Sequence, residues 1–315
     1  MSLDGVGPGW HAPSMTEPAA VVDHAAHTPY TRPGRFAPLL AALPTDPPAL
    51  SEVARNVIVH YRSADRQLPQ ETDDDIDLRW LEDILATDQR RHGTPLAEHR
   101  APEQRLQGCC RDHTLLCVAA LREHGLPARS RLGFAGYFQP GEHADHVVAE
   151  VWLEGRWRRF DPEIDAPREA LPQPMDMPTA QLGSTGFVTA AQAWVGYRRG
   201  EVDPMDYGVA GVAELRGVRF LLEEVIQEVA HRFGDELLLW DSWGRMDAPG
   251  TPVTEDDERW MDEVAALLLA ADAGDLDAER RLLERYRSDP GLHPGDTIVQ
   301  ASPRGRPPVQ VRLRD

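Results

Sequence analysis

The chain has 315 residues, of which 52 are Asp or Glu and 33 are Lys or Arg, so its formal net charge is −19. All of the cations are arginines, because no lysine occurs in the sequence. Such an acidic balance argues against a surface that neutralises nucleic-acid phosphates or anionic lipid. A hydrophobic content of 41% with 27% charged residues is typical of a globular protein and excludes disorder over the whole chain.

The N-terminal region has no basic segment followed by an apolar run, and no stretch of roughly 18 apolar residues occurs anywhere. We therefore expect a cytoplasmic protein without a signal peptide or a spanning helix. Residues 1–37 mix Gly, Pro and His without a hydrophobic period, which predicts a flexible leader. Three cysteines, Cys109, Cys110 and Cys117, cannot build a disulfide framework, so sulfur chemistry here would be thiol chemistry.

Helical spacing of apolar residues from Leu50 to Tyr61 predicts a first helix that begins near Pro48. A second helix is predicted from the acidic residues 73–77 onward, with Trp80 to Leu85 on its buried face. A third helix begins just after Gly108, which places Cys110 in its first turn and Cys117 on its interior face. Further helices are predicted near residues 211–233, 256–271 and 275–287, followed by an extended tail.

After the third helix the hydrophobic period changes to two, which predicts antiparallel strands over residues 129–138, 146–153 and 157–161. A two-residue turn at Glu154-Gly155 would pair Trp152 with Trp157 and Glu150 with Arg159. In that register His146 and Asp161 project from one face as diagonal neighbours, close enough for a carboxylate to reach an imidazole N–H.

A cysteine in the first turn of a helix has its thiolate stabilised by unpaired N–H groups and by the helix dipole, and a nucleophilic thiol also needs a base oriented by a third group. Cys110 is the candidate nucleophile, His146 the candidate general base and acid, and Asp161 the group that orients the imidazole.

These residues resemble the transglutaminase-like superfamily, whose papain-like core places a Cys at a helix start and a His and an Asp on neighbouring strands. The resemblance covers residues 95–165, and its motifs are Gly108-Cys109-Cys110-Arg111-Asp112, Gly125-Leu126-Pro127-Ala128-Arg129, Asp145-His146-Val147-Val148-Ala149-Glu150-Val151-Trp152, Trp157 and Phe160-Asp161-Pro162. It implies the same roles for Cys110, His146 and Asp161, and it extends to bacterial members of the superfamily without an assigned substrate. This chain departs from the family at Val147, where an aromatic residue is common, and at His113, where Phe is frequent.

We expect an α+β fold of this papain-like type, with the nucleophile helix packed on an antiparallel sheet and with added N- and C-terminal helices. The leader would span residues 1–37, the catalytic core 38–200 and a C-terminal helical region 201–315. The expected function is cysteine-dependent acyl transfer on an amide or a thioester, by amide formation or hydrolysis. The substrate would be a small-molecule, peptidyl or carrier-bound acyl group, without a cofactor, a metal, nucleic acid or a membrane as partner.

Two alternatives remain at this stage. The chain could be an inactive member of the family that binds a peptide or protein in the cleft. Zinc ligation would use Cys110, His113, Cys117 and His146, although two cysteines seven positions apart on one helix are poorly placed to share an ion. Arg100, Arg105, Arg198 and Arg199 are weak candidates for a substrate carboxylate. The segment Trp240-Asp241-Ser242-Trp243-Gly244 is expected to be a buried anchor, and the sequence leaves open whether it roofs the active site.

Overall fold

The computed structural model describes residues 21–62, 67–167, 170–178 and 180–314. Helices and strands combine in an α+β fold, as predicted. In the described part the helices are α1 (Ala37–Ala41), α2 (Pro47–Val57), α3 (Leu81–Arg91), α4 (Cys110–Glu123), α5 (Ala190–Arg198), α6 (Val218–Arg232), α7 (Glu255–Asp272) and α8 (Leu276–Ser288). The strands are β1 (Ile58–His60), β2 (Leu106–Gly108), β3 (Ala128–Ala135), β4 (His143–Leu153), β5 (Arg156–Phe160), β6 (Phe187–Thr189), β7 (Tyr207–Gly208), β8 (Asp241–Ser242), β9 (Thr297–Gln300) and β10 (Val309–Arg312).

The central sheet has the strand order β5-β4-β3-β6, and β7 adds a short parallel pairing to the start of β4. Its β4–β5 hairpin turns through Glu154 and Gly155, both with positive φ, at 54° and 80°. Two positive φ values are what a tight type I′ turn requires, and its twist suits paired strands. The hairpin therefore has the predicted register, with Trp152 opposite Trp157 and Glu150 opposite Arg159.

Helix α4 is buried on every side and packs against both β3 and β4. Its interior face carries Leu115, Leu116 and Cys117, which belong to the main hydrophobic core together with side chains of α2, α6 and the sheet. The hydroxyl of Thr114 donates a hydrogen bond to the carbonyl of Val147 at 3.0 Å. This contact fixes the N-terminal half of α4 against the strand that carries His146.

The C-terminal helices are joined to the sheet by buried charge pairs as well as by apolar packing. Asp272, at the end of α7, accepts hydrogen bonds from Arg131 of β3 and Arg232 of α6, and Arg131 also contacts Glu228 at 3.1 Å. Buried charges are tolerated where opposite charges and hydrogen bonds satisfy them. Helices α6 and α7 are thus joined to strand β3 of the sheet. None of the described helices is long and apolar enough to cross a membrane.

The prediction of a flexible leader is wrong for residues 21–37. Residues 1–20 lie outside the described residues, but residues 21–37 pack against the protein. Tyr30 is buried and its carbonyl accepts the N–H of Leu81 at 2.9 Å, while Thr28 donates to Glu236 at 2.6 Å. Small and polar residues here bind the body of the protein through hydrogen bonds, which hydrophobic periodicity does not detect.

The predicted helix boundaries also need correction. Helix α2 ends at Val57, because the β-branched residues that follow form β1 and pair in parallel with β2. Residues 70–77 form 3₁₀ turns, and α3 begins only at Leu81. Helix α6 begins at Val218, after Gly217 with φ of 88°, rather than near residue 211. The predicted extended tail contains β9 and β10, which pair with each other, and β9 also pairs with β8.

Candidate active site

Cys110 is the first residue of α4, and Cys109 precedes it as the N-cap. The carboxylate of Asp112 accepts the N–H of Cys109 at 2.8 Å, which satisfies one of the free amide groups of this helix start. Gly108 ends β2 directly before the pair. A Cβ atom at position 108 would lie 2.8 Å from the Asp112 carboxylate and 2.9 Å from Ile58, so only glycine fits between strand and helix.

His146 lies on β4 and Asp161 directly follows β5, and both side chains are buried. The Nε2 atom of His146 lies 2.8 Å from the Asp161 Oδ2 atom. The hydroxyl of Tyr137 donates to the same oxygen at 2.6 Å, and the other oxygen accepts the N–H of Glu163 at 2.9 Å. The Asp161 carboxylate therefore holds the imidazole through Nε2 and leaves Nδ1 as the second ring nitrogen.

A third acidic residue, Glu163, joins the two predicted partners. The Cys110 Sγ atom, a ring nitrogen of His146 and a Glu163 carboxylate oxygen all lie within 4.8 Å of one another. The structure thus brings Cys110, His146 and Asp161 together, and their catalytic roles stay a prediction. Glu163 was not predicted from the sequence, because it lies on a loop without a hydrophobic period and its backbone is positioned by the distant residue Arg55.

Cys110, His146 and Glu163 line a cavity of about 690 Å³, and Asp161 is buried behind them. Its walls come from segments far apart in the chain. They include Tyr61 and Arg62 after β1, Phe138 after β3, Val209, Ala210, Val212 and Leu215 before α6, Leu239-Trp240, and Ala301 to Arg304 after β9. Within the segment Trp240 to Gly244, Trp240 lines the cavity, while Asp241 and Trp243 are buried. The Trp240 ring lies 6.2 Å from that of Tyr61 in an edge-on arrangement.

The electrostatics of the site favour a neutral thiol. A hydrogen bond with the Cys109 thiol, burial, and the negative charges of Cys109, Glu163 and Asp145 raise the pKa of Cys110 well above its usual range. The expected stabilisation of the thiolate by the helix N-terminus is outweighed by these effects. Burial lowers the pKa of His146, but Asp161, Glu163 and Asp145 more than offset it, so the net shift is upward.

His60 is a further cavity residue that the sequence did not point to. It is directly opposite Gly108 in the β1–β2 pair, and it lines the same cavity as Cys110. Its Nδ1 atom accepts the N–H of Arg62 at 3.1 Å, which places the ring proton of the neutral form on Nε2. Burial, followed by the charges of His146 and Arg62, lowers the pKa of His60 to about 4, so the ring is a neutral N–H donor at ordinary pH.

Several other sequence candidates have structural roles. The two ring nitrogens of His113 lie 2.9 Å and 3.2 Å from the carbonyl oxygens of Cys109 and Ile58, and Cys117 is buried in the core, so neither joins the Cys110–His146 cluster among the described residues. Arg100 pairs with Asp88 in the interior. Arg105 donates a hydrogen bond to the carbonyl of Arg100. Arg198 forms ion pairs with Glu258 and Asp262. Among the described residues, Arg62 and Arg304 are the arginines that line the cavity.

Comparison with known proteins matches residues 78–162 to the family described as the transglutaminase-like superfamily. No curated protein sequence matches the chain. Among solved structures, a candidate cysteine protease from Cytophaga hutchinsonii aligns with 18% identity and a TM-score of 0.33, over 50% of this chain and 46% of that one. The family match contains α3, α4 and strands β2 to β5, which carry Cys110, His146 and Asp161. Residues 78–162 of this chain are therefore similar to the core of the transglutaminase-like superfamily.

Proposed function

We propose that this protein is a cysteine-dependent acyl-transfer enzyme that acts on an amide or a thioester through Cys110, His146 and Asp161. The observation that carries the proposal is the shared cavity, in which a helix-start thiol lies within 4.8 Å of an imidazole that a buried carboxylate holds at 2.8 Å. The catalytic core would span residues 38–200, with residues 201–315 packed on it and completing the cavity wall.

In the first step His146 acts as a general base. Because the pKa of Cys110 is raised, the resting thiol is neutral, and Nδ1 of His146 would accept its proton as Sγ attacks the carbonyl carbon. The upward shift in the pKa of His146 makes the imidazole a stronger base for this transfer. Attack and proton transfer would thus occur together, without a preformed thiolate.

The carbonyl oxygen becomes negatively charged in the tetrahedral intermediate and needs N–H donors. The N–H of Cys110 is at the first position of α4, where a helix amide has no intrahelical acceptor. Nε2–H of His60, on the strand that adjoins Gly108, is a second donor lining the same cavity. Both donors are fixed by the backbone before substrate arrives, which is the condition for effective stabilisation of developing charge.

Collapse of the intermediate breaks the bond to the leaving amine or thiol, which takes the proton from His146 and leaves an acyl thioester on Cys110. Water or an amine then attacks this thioester with His146 again as the base. Hydrolysis and amide formation use the same three residues and differ in this second nucleophile. The substrate we propose is a small-molecule, peptidyl or carrier-bound acyl group.

The first test measures the reactivity of the cysteines and requires no knowledge of the substrate. Iodoacetamide labelling read by mass spectrometry gives the separate alkylation rates of Cys109, Cys110 and Cys117 between about pH 5 and 9, a range that brackets imidazole and thiol titration. Wild-type protein is compared with the His146→Ala variant, and the buried Cys117 is an internal control. Amide and thioester libraries are then screened by intact mass for an acyl group on Cys110.

We expect Cys110 to be labelled fastest, to slow when His146 is removed, and to acquire the acyl mass. If Cys110 reacts no faster than Cys109 or Cys117 and is insensitive to His146→Ala, the catalytic proposal is wrong. An inactive family member that binds a peptide or protein in the cleft then becomes the better description.

A further inference from the structure

We propose that Cys110, His146 and Glu163 form a binding site for a divalent metal ion with the chemistry of zinc, and that the bound ion silences the Cys110 thiol. The cluster differs from the set that the sequence suggested, because Glu163 replaces His113 and Cys117. Metal binding does not depend on catalytic activity, so this proposal and the proposed function can fail separately.

The donor set suits zinc. Zinc in proteins is held by thiolate, imidazole and carboxylate ligands with bond lengths of about 2.0 to 2.3 Å, and tetrahedral angles then place neighbouring ligand atoms about 3.3 to 3.6 Å apart. Here the sulfur, nitrogen and oxygen atoms lie within 4.8 Å of one another. Side-chain movements of at most about 1.2 to 1.5 Å close this difference. Magnesium and calcium prefer oxygen ligands alone, so a thiol and an imidazole select a softer ion.

Asp161 orients two of the three ligands. Its Oδ2 atom lies 2.8 Å from Nε2 of His146, and its Oδ1 atom accepts the backbone N–H of Glu163 at 2.9 Å. A carboxylate on the second nitrogen of a histidine ligand is the usual arrangement around protein-bound zinc, because it fixes the ring and raises its basicity. Tyr137 holds the same carboxylate from the other side at 2.6 Å.

Arg55 fixes the loop that presents Glu163. Its guanidinium donates to the carbonyls of Pro162 and Ile164, both at 3.0 Å, and these residues flank Glu163 on either side. The side chains of Asp161 and Arg55 thus bind the backbone on both sides of Glu163, which is the third ligand. A site whose ligands are already placed needs little ordering of the chain to bind its ion.

The fourth position of a tetrahedral ion would face the cavity, since Cys110, His146 and Glu163 all line it. Asp145, next to His146, adds negative charge there, while the guanidinium of Arg62 on the same cavity opposes it. Binding requires the thiolate, so the Cys110 proton is released to solvent as the S–metal bond forms. The sulfur lone pair then belongs to the ion and is not available for attack on an acyl group.

The experiment uses the full chain without a polyhistidine tag and ZnCl₂ as the probe, titrated in competition with a chromophoric chelator. We expect one equivalent of zinc, released protons, and protection of Cys110 from iodoacetamide. With Co²⁺ as the probe, a thiolate charge-transfer band should appear in the near ultraviolet. Glu163→Gln should weaken zinc binding by about tenfold or more, and Asp161→Asn by about 10- to 100-fold.

Asp145→Asn is the matched control, because it removes one negative charge from the same cavity without removing a ligand. We expect it to weaken zinc binding far less than Glu163→Gln. Equal losses in the two variants would show simple electrostatic attraction and overturn the site. Wild-type protein alkylated at Cys110 tests the sulfur ligand without a folding risk, and unchanged zinc affinity after alkylation would also overturn it.

Discussion

Replacing Asp161 by Asn tests the part of the site on which the proposed chemistry depends most. The carboxylate accepts hydrogen bonds from three donors, which are His146, Tyr137 and the N–H of Glu163. An amide has one acceptor oxygen and one NH₂ donor. Whichever way the introduced amide is turned, its NH₂ group faces at least one of these donors, so a buried hydrogen bond is lost.

The magnitude follows from the lost interaction. A hydrogen bond to a charged group contributes about 1.5 to 3 kcal/mol, and one pKa unit corresponds to about 1.36 kcal/mol. Asp161 raises the pKa of His146 through its charge and its hydrogen bond, against the lowering effect of burial. We therefore expect the pKa of His146 to fall by about one to two units in Asp161→Asn.

The assay is the chemical shift of the His146 ring followed through a pH titration by NMR, with the iodoacetamide rate of Cys110 measured on the same samples. The matched control is Asp145→Asn, since Asp145 also raises the pKa of His146 by its charge but is not its hydrogen-bond partner. We expect a smaller pKa change in the control and slower Cys110 alkylation in Asp161→Asn. An unchanged pKa of His146 in Asp161→Asn, or equal changes in both variants, would refute this account of the pair.

Three further predictions concern the thiol pair, the buried histidines and the helix start. Cys109→Ala should lower the pKa of Cys110, because the thiol hydrogen bond that contributes most to raising it disappears; an alkylation profile of Cys110 that stays in place would contradict this. Burial, with the charge of Arg111, lowers the pKa of His231 to about 3, so between pH 6.5 and 3 the unfolded chain binds more protons and the free energy of unfolding falls as pH falls. His231→Gln should therefore reduce this acid-side slope in urea unfolding by about 1.4 kcal/mol per pH unit, and an unchanged slope would exclude His231 as its source. Gly108→Ala should destabilise the protein by about 1 to 3 kcal/mol in the same assay, because its Cβ would crowd Asp112. An unchanged free energy of unfolding would show that Asp112 and Ile58 move aside without cost.

The residues of the predicted triad could be found from the sequence because local rules position them. A helix start is marked by strand-ending Gly108 and by the carboxylate of Asp112 three residues into the helix. The hairpin register follows from a two-residue turn, and it carries His146 and Asp161 to one face without any knowledge of the remaining chain. Both signals span fewer than about 20 residues, which is the range over which pattern and turn chemistry are informative.

The parts that sequence analysis missed depend on contacts between distant segments. Ile58 continues the apolar stripe of α2, yet it belongs to β1, because β2 offers it a partner about 48 positions along the chain. Glu163 lies on a loop without periodicity, and its backbone is set by Arg55 from another element. Neither position can be predicted from a local pattern, since tertiary pairing decides each of them.

The wall of the cavity combines residues of the family match with residues from the C-terminal part of the chain. The predicted nucleophile and its partners all belong to residues 78–162, but the residues opposite them include the C-terminal segment Ala301 to Arg304. Arg304 pairs with Asp73 at 3.0 Å and lies over the ring of Tyr61 at 5.3 Å, while Arg306 pairs with Asp74 and Asp77. Partly exposed ion pairs contribute little stability each, about 0 to 1 kcal/mol, so this wall is held less firmly than the buried Asp161 network behind the thiol. The proposed acyl chemistry should therefore depend on residues 78–162, and the shape of the accepted substrate on the arginine-bound segment Ala301 to Arg304.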